Sequence, residues 1–169
     1  MGVGSSVSME LSALNGPNGF VLNGIYAYHY SGHSVSSAGA ANGDGIDDLI
    51  IGADRGNPNG TTSDGGSYVV VGAVGGGTGG VIELSSLNGT NGFVLNGIDS
   101  QDFSGNSVSA AGDVNGDGID DLIISAYFGN PNGTSSGESY VVFGAAGVGS
   151  GGVIELSSLN GTNGFVLNG

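Results

Sequence analysis

Apolar residues along this chain come in short runs separated by glycine, asparagine, serine and threonine. Leu49-Ile50-Ile51 and Leu122-Ile123-Ile124 are apolar at consecutive positions, as are Tyr68-Val69-Val70-Val71 and Tyr140-Val141-Val142-Phe143. A strand with one wet face alternates, whereas a continuous β-branched run is buried on both faces. Such strands belong to sheets packed between neighbouring sheets. The recurring Asn-Gly pairs favour turns with positive φ and mark hairpins between these runs. The pattern predicts an all-β chain.

The runs repeat. Leu-Ser-Ala-Leu-Asn-Gly-Pro-Asn-Gly-Phe-Val-Leu-Asn-Gly begins at Leu11 and returns, with Ser and Thr replacing Ala and Pro, at Leu84 and Leu156, spacings of 73 and 72 residues. Gly-Ile-Asp-Asp-Leu-Ile-Ile occurs at 45–51 and again at 118–124. The chain divides into an N-terminal outer strand over 1–24, a first unit over 25–97 and a second over 98–169. Each unit reads as four strands: 34–38, 48–52, 67–72 and 93–96 in the first, with 107–111, 121–125, 139–144 and 165–168 in the second. A short Leu-Ser-Ser-Leu segment before the last strand reads as a single helical turn. Four-stranded antiparallel sheets packed face to face about an axis make a β-propeller, so the expectation is two blades plus one extra outer strand at 20–23.

Between the first two strands of the second unit lies Asp113-Val114-Asn115-Gly116-Asp117-Gly118-Ile119-Asp120-Asp121. Oxygen-bearing side chains stand at its first, third, fifth and ninth positions, and glycine at the sixth permits the sharp turn that wraps a cation. The seventh position offers a backbone carbonyl, that of Ile119. Hard carboxylate and amide oxygens suit Ca²⁺ rather than zinc or copper. An EF-hand would place a bidentate Glu at position twelve; Ile124 stands there, inside a strand. The alternative is an Asx- and Gly-rich turn without metal. In the first unit Ala40 replaces the first aspartate, leaving Asn42, Asp44, the carbonyl of Ile46 and Asp48. With one charged ligand fewer, that loop is expected to bind more weakly.

Composition narrows the partners. Fifteen acidic residues face one basic residue, Arg55, for a formal charge of −14 over 169 residues. This excess argues against nucleic acid and anionic membranes and favours cations. No apolar stretch reaches the length of a membrane span. Met1-Gly2-Val3-Gly4 lacks the charged and apolar regions of a signal peptide and reads as an initiator added to a piece of a longer array. There is no cysteine, hence no disulfide.

The calcium-type loop, the apolar strand after it and the aromatic-x-Gly before the first strand (Tyr30-Ser31-Gly32, Phe103-Ser104-Gly105) resemble FG-GAP repeats. These build the propeller heads of integrin alpha chains, and the wording of the units is most similar to secreted bacterial tandem arrays. Departures are Gly52-Ala53-Asp54 and Ser125-Ala126-Tyr127 where the family has Gly-Ala-Pro, and units longer than its usual blade. The resemblance implies an extracellular or cell-surface module for structure, adhesion or protein interaction, with calcium as its ligand.

Two blades cannot close a ring, and an open blade exposes an apolar face. Self-association into a homo-oligomer is therefore expected, three copies giving six blades or four giving eight. The units differ most at 25–33, where Tyr26, Tyr28, His29 and Tyr30 form a candidate site for a protein or glycan ligand, a lectin-like alternative. Simple cover of the blade below is the other role for these tyrosines. His29 and His33 lack a third partner for zinc. No catalytic constellation recurs, so a non-enzymatic role is expected.

Overall fold

The computed structural model describes residues 8–60 and 62–169; Met1 to Gly4, with the reading attached to them, lie outside these. The described residues are all-β, with eleven strands and three single 3-10 turns. In chain order the strands are β1 (Val21–Asn23), β2 (Ser34–Gly39), β3 (Asp48–Ala53), β4 (Gly66–Val70), β5 (Val81–Glu83) and β6 (Gly92–Asn96). The second unit continues with β7 (Val108–Gly112), β8 (Asp121–Ala126), β9 (Glu138–Val142), β10 (Val153–Glu155) and β11 (Gly164–Asn168). Leu11–Ala13, Leu84–Ser86 and Leu156–Ser158 are the 3-10 turns.

Within each unit the four expected strands pair antiparallel, in the order β6-β4-β3-β2 in the first sheet and β11-β9-β8-β7 in the second. The consecutive apolar runs behave as double-faced strands: every residue of β4 is buried, and β3 is buried at all positions but Leu49. A bulge interrupts the β2–β3 register between Ser37 and Gly39, and its equivalent lies between Ala110 and Gly112.

The sequence reading missed one element. Val81–Glu83 and Val153–Glu155 are strands, and each lies parallel to the last strand of the preceding unit. β10 thereby extends the first sheet to five strands, while β1 forms a two-stranded sheet with β5. An asparagine amide locks each ladder: Asn23 Nδ2 donates to Glu83 Oε1 and Asn96 Nδ2 to Glu155 Oε1, both at 2.8 Å.

The two antiparallel sheets pack face to face. Ile50, Val69, Phe93 and Leu95 of the first meet Leu122, Ile124, Tyr140 and Val142 of the second in one buried cluster. Burying each such side chain is worth about 1.5–3 kcal/mol. At the inner edge β2 runs beside β7, where Val108 N donates to Ser34 Oγ at 3.1 Å. Gly52 lies so close to the second unit that a Cβ there would meet the Gly105 carbonyl oxygen at 2.0 Å. A smaller cluster, Ile51, Tyr68, Val70 and Leu84, fills the far side of the first sheet beneath Leu22, Ile25 and Ile82.

Candidate metal centre

Both oxygen-rich loops join the first two strands of a sheet, at one end of the molecule. The loop at 113–121 is turned by its own side chains. Asp113 Oδ1 accepts from Gly116 N and Asp117 N at 2.7 and 2.9 Å, and its Oδ2 from Gly118 N at 2.9 Å. Asn115 Oδ1 accepts from Asp117 N, and Asp117 Oδ1 from Ile119 N, each at 2.9 Å. Gly116 and Gly118 have φ of 80° and 89°, left-handed values that a side chain would strain. Asp121, fully buried at the start of β8, ties the loop to the sheet. Its Oδ1 accepts from Gly144 N at 2.9 Å, and its Oδ2 from Val114 N and Asn115 N at 2.8 and 3.3 Å.

The loop at 42–48 keeps half of this scaffold. Asn42 Oδ1 accepts from Asp44 N at 2.9 Å, and Asp44 Oδ1 from Ile46 N at 2.8 Å. With Ala40 at the first position, no carboxylate gathers the amides of Gly43 and Gly45. Asp48 is fully buried, and its Oδ1 accepts from Gly72 N at 2.8 Å, but its Oδ2 is buried without a partner. Burial, with a smaller contribution from the Asp44 charge, raises its pKa against the lowering effect of the Gly72, Asn42 and Ala41 amides. An uncompensated buried carboxylate oxygen is an electrostatic deficit that a cation would relieve.

The donor chemistry fits calcium: all candidate ligands in both loops are oxygens, and most carry charge. Among the described residues, however, no three His, Cys, Asp or Glu side chains are gathered closely enough to hold a metal by themselves. Asp113, Asp117 and Asp121 are each drawn to loop amides, and the remaining oxygens in the candidate set belong to Asn115 and the Ile119 carbonyl.

The aspartates adjacent to the ninth-position ligands take different places in the two units. Asp47 is exposed, but Asp120 Oδ2 accepts from Ala40 N of the other unit at 3.0 Å. The second loop is thus bonded directly to the first.

The opposite end carries the loops around 24–33, 54–66, 97–106 and 127–137. Tyr26 and Tyr28 are 70% and 83% exposed, and Tyr26 meets the His29 ring edge-on at 5.1 Å. The sole basic residue joins them: the Arg55 guanidinium lies 4.9 Å from the Tyr30 ring centre and 6.0 Å from that of Phe103. Its position in space was not readable from sequence. Clefts of about 500 and 430 Å³ flank it, one beside Tyr28, His29 and Tyr30 and one beside His33 and Asp54. His33 Nδ1 stands 3.0 Å from Asp54 Oδ1 without hydrogen-bond alignment. Tyr28, Tyr30, Gln101 and Phe103 all have φ between 55° and 69°, so the backbone twist recurs in both units and belongs to the fold.

Asp102, at the position of His29 in the other unit, is 1% exposed, and neither carboxylate oxygen has a partner among the described residues. Burial, then the charges of Asp99 and Glu138, push its pKa up to about 6. The buried hydroxyl of Tyr140 is shifted upward, first by burial and then by Glu138.

The family model described as the FG-GAP repeat matches residues 104–142, which span β7, the 113–121 loop, β8 and β9. That stretch is similar to an FG-GAP repeat, in keeping with the all-β architecture. No curated protein matches the chain. No helix among the described residues is long and apolar enough to cross a membrane.

Proposed function

We propose that this chain is a non-catalytic, calcium-binding propeller module that serves structure, adhesion or protein interaction in an extracellular or cell-surface setting. The observation that carries the reading is the 113–121 loop, an all-oxygen donor set pre-turned by its own amides and anchored to β8, within the segment that matches the FG-GAP repeat. Asp113, Asn115, Asp117, the Ile119 carbonyl and Asp121 would hold the ion. Asn42, Asp44, the Ile46 carbonyl and Asp48 would form a second, weaker site. Bound calcium supplies positive charge to a chain carrying −14, so it stabilises the folded state by mass action.

Titration calorimetry of the metal-free protein tests this. One dominant calcium site, lost in Asp117→Ala, is the expected result; two equal sites, or no heat at all, contradict it. The exposed tyrosines and the clefts beside Arg55 favour a second reading, a lectin-like surface opposite the metal loops. Glycan-array binding that disappears in Tyr28→Ala would support it.

A further inference from the structure

Three copies of one strand sequence, Gly-Phe-Val-Leu-Asn, occupy three different situations. β6 is covered on its outer edge by β10, and Val94 N donates to Gly152 O at 3.0 Å. β1 is covered by β5 in the same parallel register, with Val21 N donating to Gly80 O at 2.9 Å. Among the described residues, β11 pairs with β9 on one side only. Its Val166 N–H and Asn168 side chain occupy the places of the groups that lock the other two ladders, and Val166, Leu167 and Asn168 are exposed.

The sheet faces carry the same asymmetry. Ile50, Val69, Phe93 and Leu95 of the first sheet are fully buried against the second. Their equivalents on the outer face of the second sheet are Ile123, Val141, Phe165 and Leu167; Leu167 is 50% exposed, and Ile123 and Phe165 are only partly buried. The surface that receives such a face exists too. Leu122, Ile124, Tyr140 and Val142 receive it inside the chain, and Leu49, Ile51, Tyr68 and Val70 are their equivalents. Leu49 is 37% exposed, and the other three lie in the small cluster bordered by Leu22 and Ile25.

Resting on the propeller reading above, we propose that β11 of one copy replaces β1 against β5 of a second copy. The last sheet of one chain would then pack on the first sheet of the next, as the two sheets pack within the chain. The register follows from the repeat: Val166 opposite Val81, Leu167 opposite Ile82, and Asn168 opposite Glu83. The exchange is near neutral for the backbone, because one parallel ladder replaces another of the same sequence. Covering the outer face of the second sheet supplies the gain. Donor and acceptor surfaces differ, so the contact is head-to-tail and builds a ring if the rotation per copy closes.

Two prolines test this with opposite signs. Val166→Pro removes an N–H that points out of its sheet, which an edge strand tolerates; it should weaken self-association at least tenfold, as read by light-scattering mass across a dilution series. Val21→Pro removes the matching donor of the internal competitor and should strengthen association. Asn168→Asp, an exposed position that would set a carboxylate against Glu83 of the second copy, should weaken it as Val166→Pro does. A wild-type mass of one chain at every concentration overturns the proposal, as do two prolines that act alike. Calcium calorimetry on the same samples separates the two ideas. Intact calcium binding with no association sinks only the exchange, whereas lost calcium binding with association intact sinks only the metal reading.

Discussion

The loops at 42–48 and 113–121 begin from nearly the same sequence and end in different electrostatic states. In the second, a carboxylate at the first position collects three backbone amides, and both oxygens of the ninth-position aspartate are satisfied. In the first, alanine collects none, and one oxygen of Asp48 is buried alone. A single side chain at position 40 or 113 decides whether the loop is built by its own ligands or merely permitted by its neighbours. The second loop also braces the first, through Asp120 and the Ala40 amide. The two loops are therefore neighbours in contact rather than independent units.

The largest effect should come from removing the ninth-position anchors. Asp121→Ala strands three amides, that of Gly144 buried and those of Val114 and Asn115 part-buried, a buried unpaired amide costing about 1–3 kcal/mol, whereas Asp48→Ala strands that of Gly72. Metal-free chemical denaturation should show Asp121→Ala costing at least about 3 kcal/mol and Asp48→Ala about half as much or less. Equal costs would erase the contrast. Next, Asp113→Ala makes the second loop resemble the first and should lower its calcium affinity by about 10- to 100-fold, measured by calorimetry. The converse, Ala40→Asp, should raise affinity in the first loop by about tenfold; no gain there would mean that something other than ligand count limits that site.

A pH-dependent effect belongs to the far end. Asp102 has a folded pKa of about 6 against 3.8 for the free group, so the native state holds its proton more tightly than the unfolded chain does. Its contribution to stability is complete below about pH 4 and is lost as pH rises through 6, about 2–3 kcal/mol at most. Asp102→Asn should flatten that part of the metal-free stability profile.

Much of this was legible in the sequence. Consecutive apolar residues in 49–51 and 68–71 announced double-faced strands, and the register of oxygens in 113–121 announced the loop. The Val-Ile-Glu strands were not seen, because three residues with one polar member carry too little periodicity to register. Their signal was indirect: the same tripeptide precedes Leu-Ser-Ser-Leu in both units, at a fixed distance before an asparagine-ended strand. The place of Asp120 was also hidden. Alternation along a strand says which face a side chain leaves from, but not that a neighbouring sheet waits there. The burial of Asp102 and the company kept by Arg55 depend on loops from different units meeting, which no local pattern encodes.

The parallel Val-Ile-Glu ladders also set a timetable for biosynthesis. Asn23 and Asn96 wait for glutamates 60 and 59 residues further along the chain. At about 5–20 residues per second of translation, each newly made sheet keeps a bare edge for about 3 to 12 s before its clasp emerges from the ribosome. Nascent chains on neighbouring ribosomes of one message would carry such edges side by side during that interval.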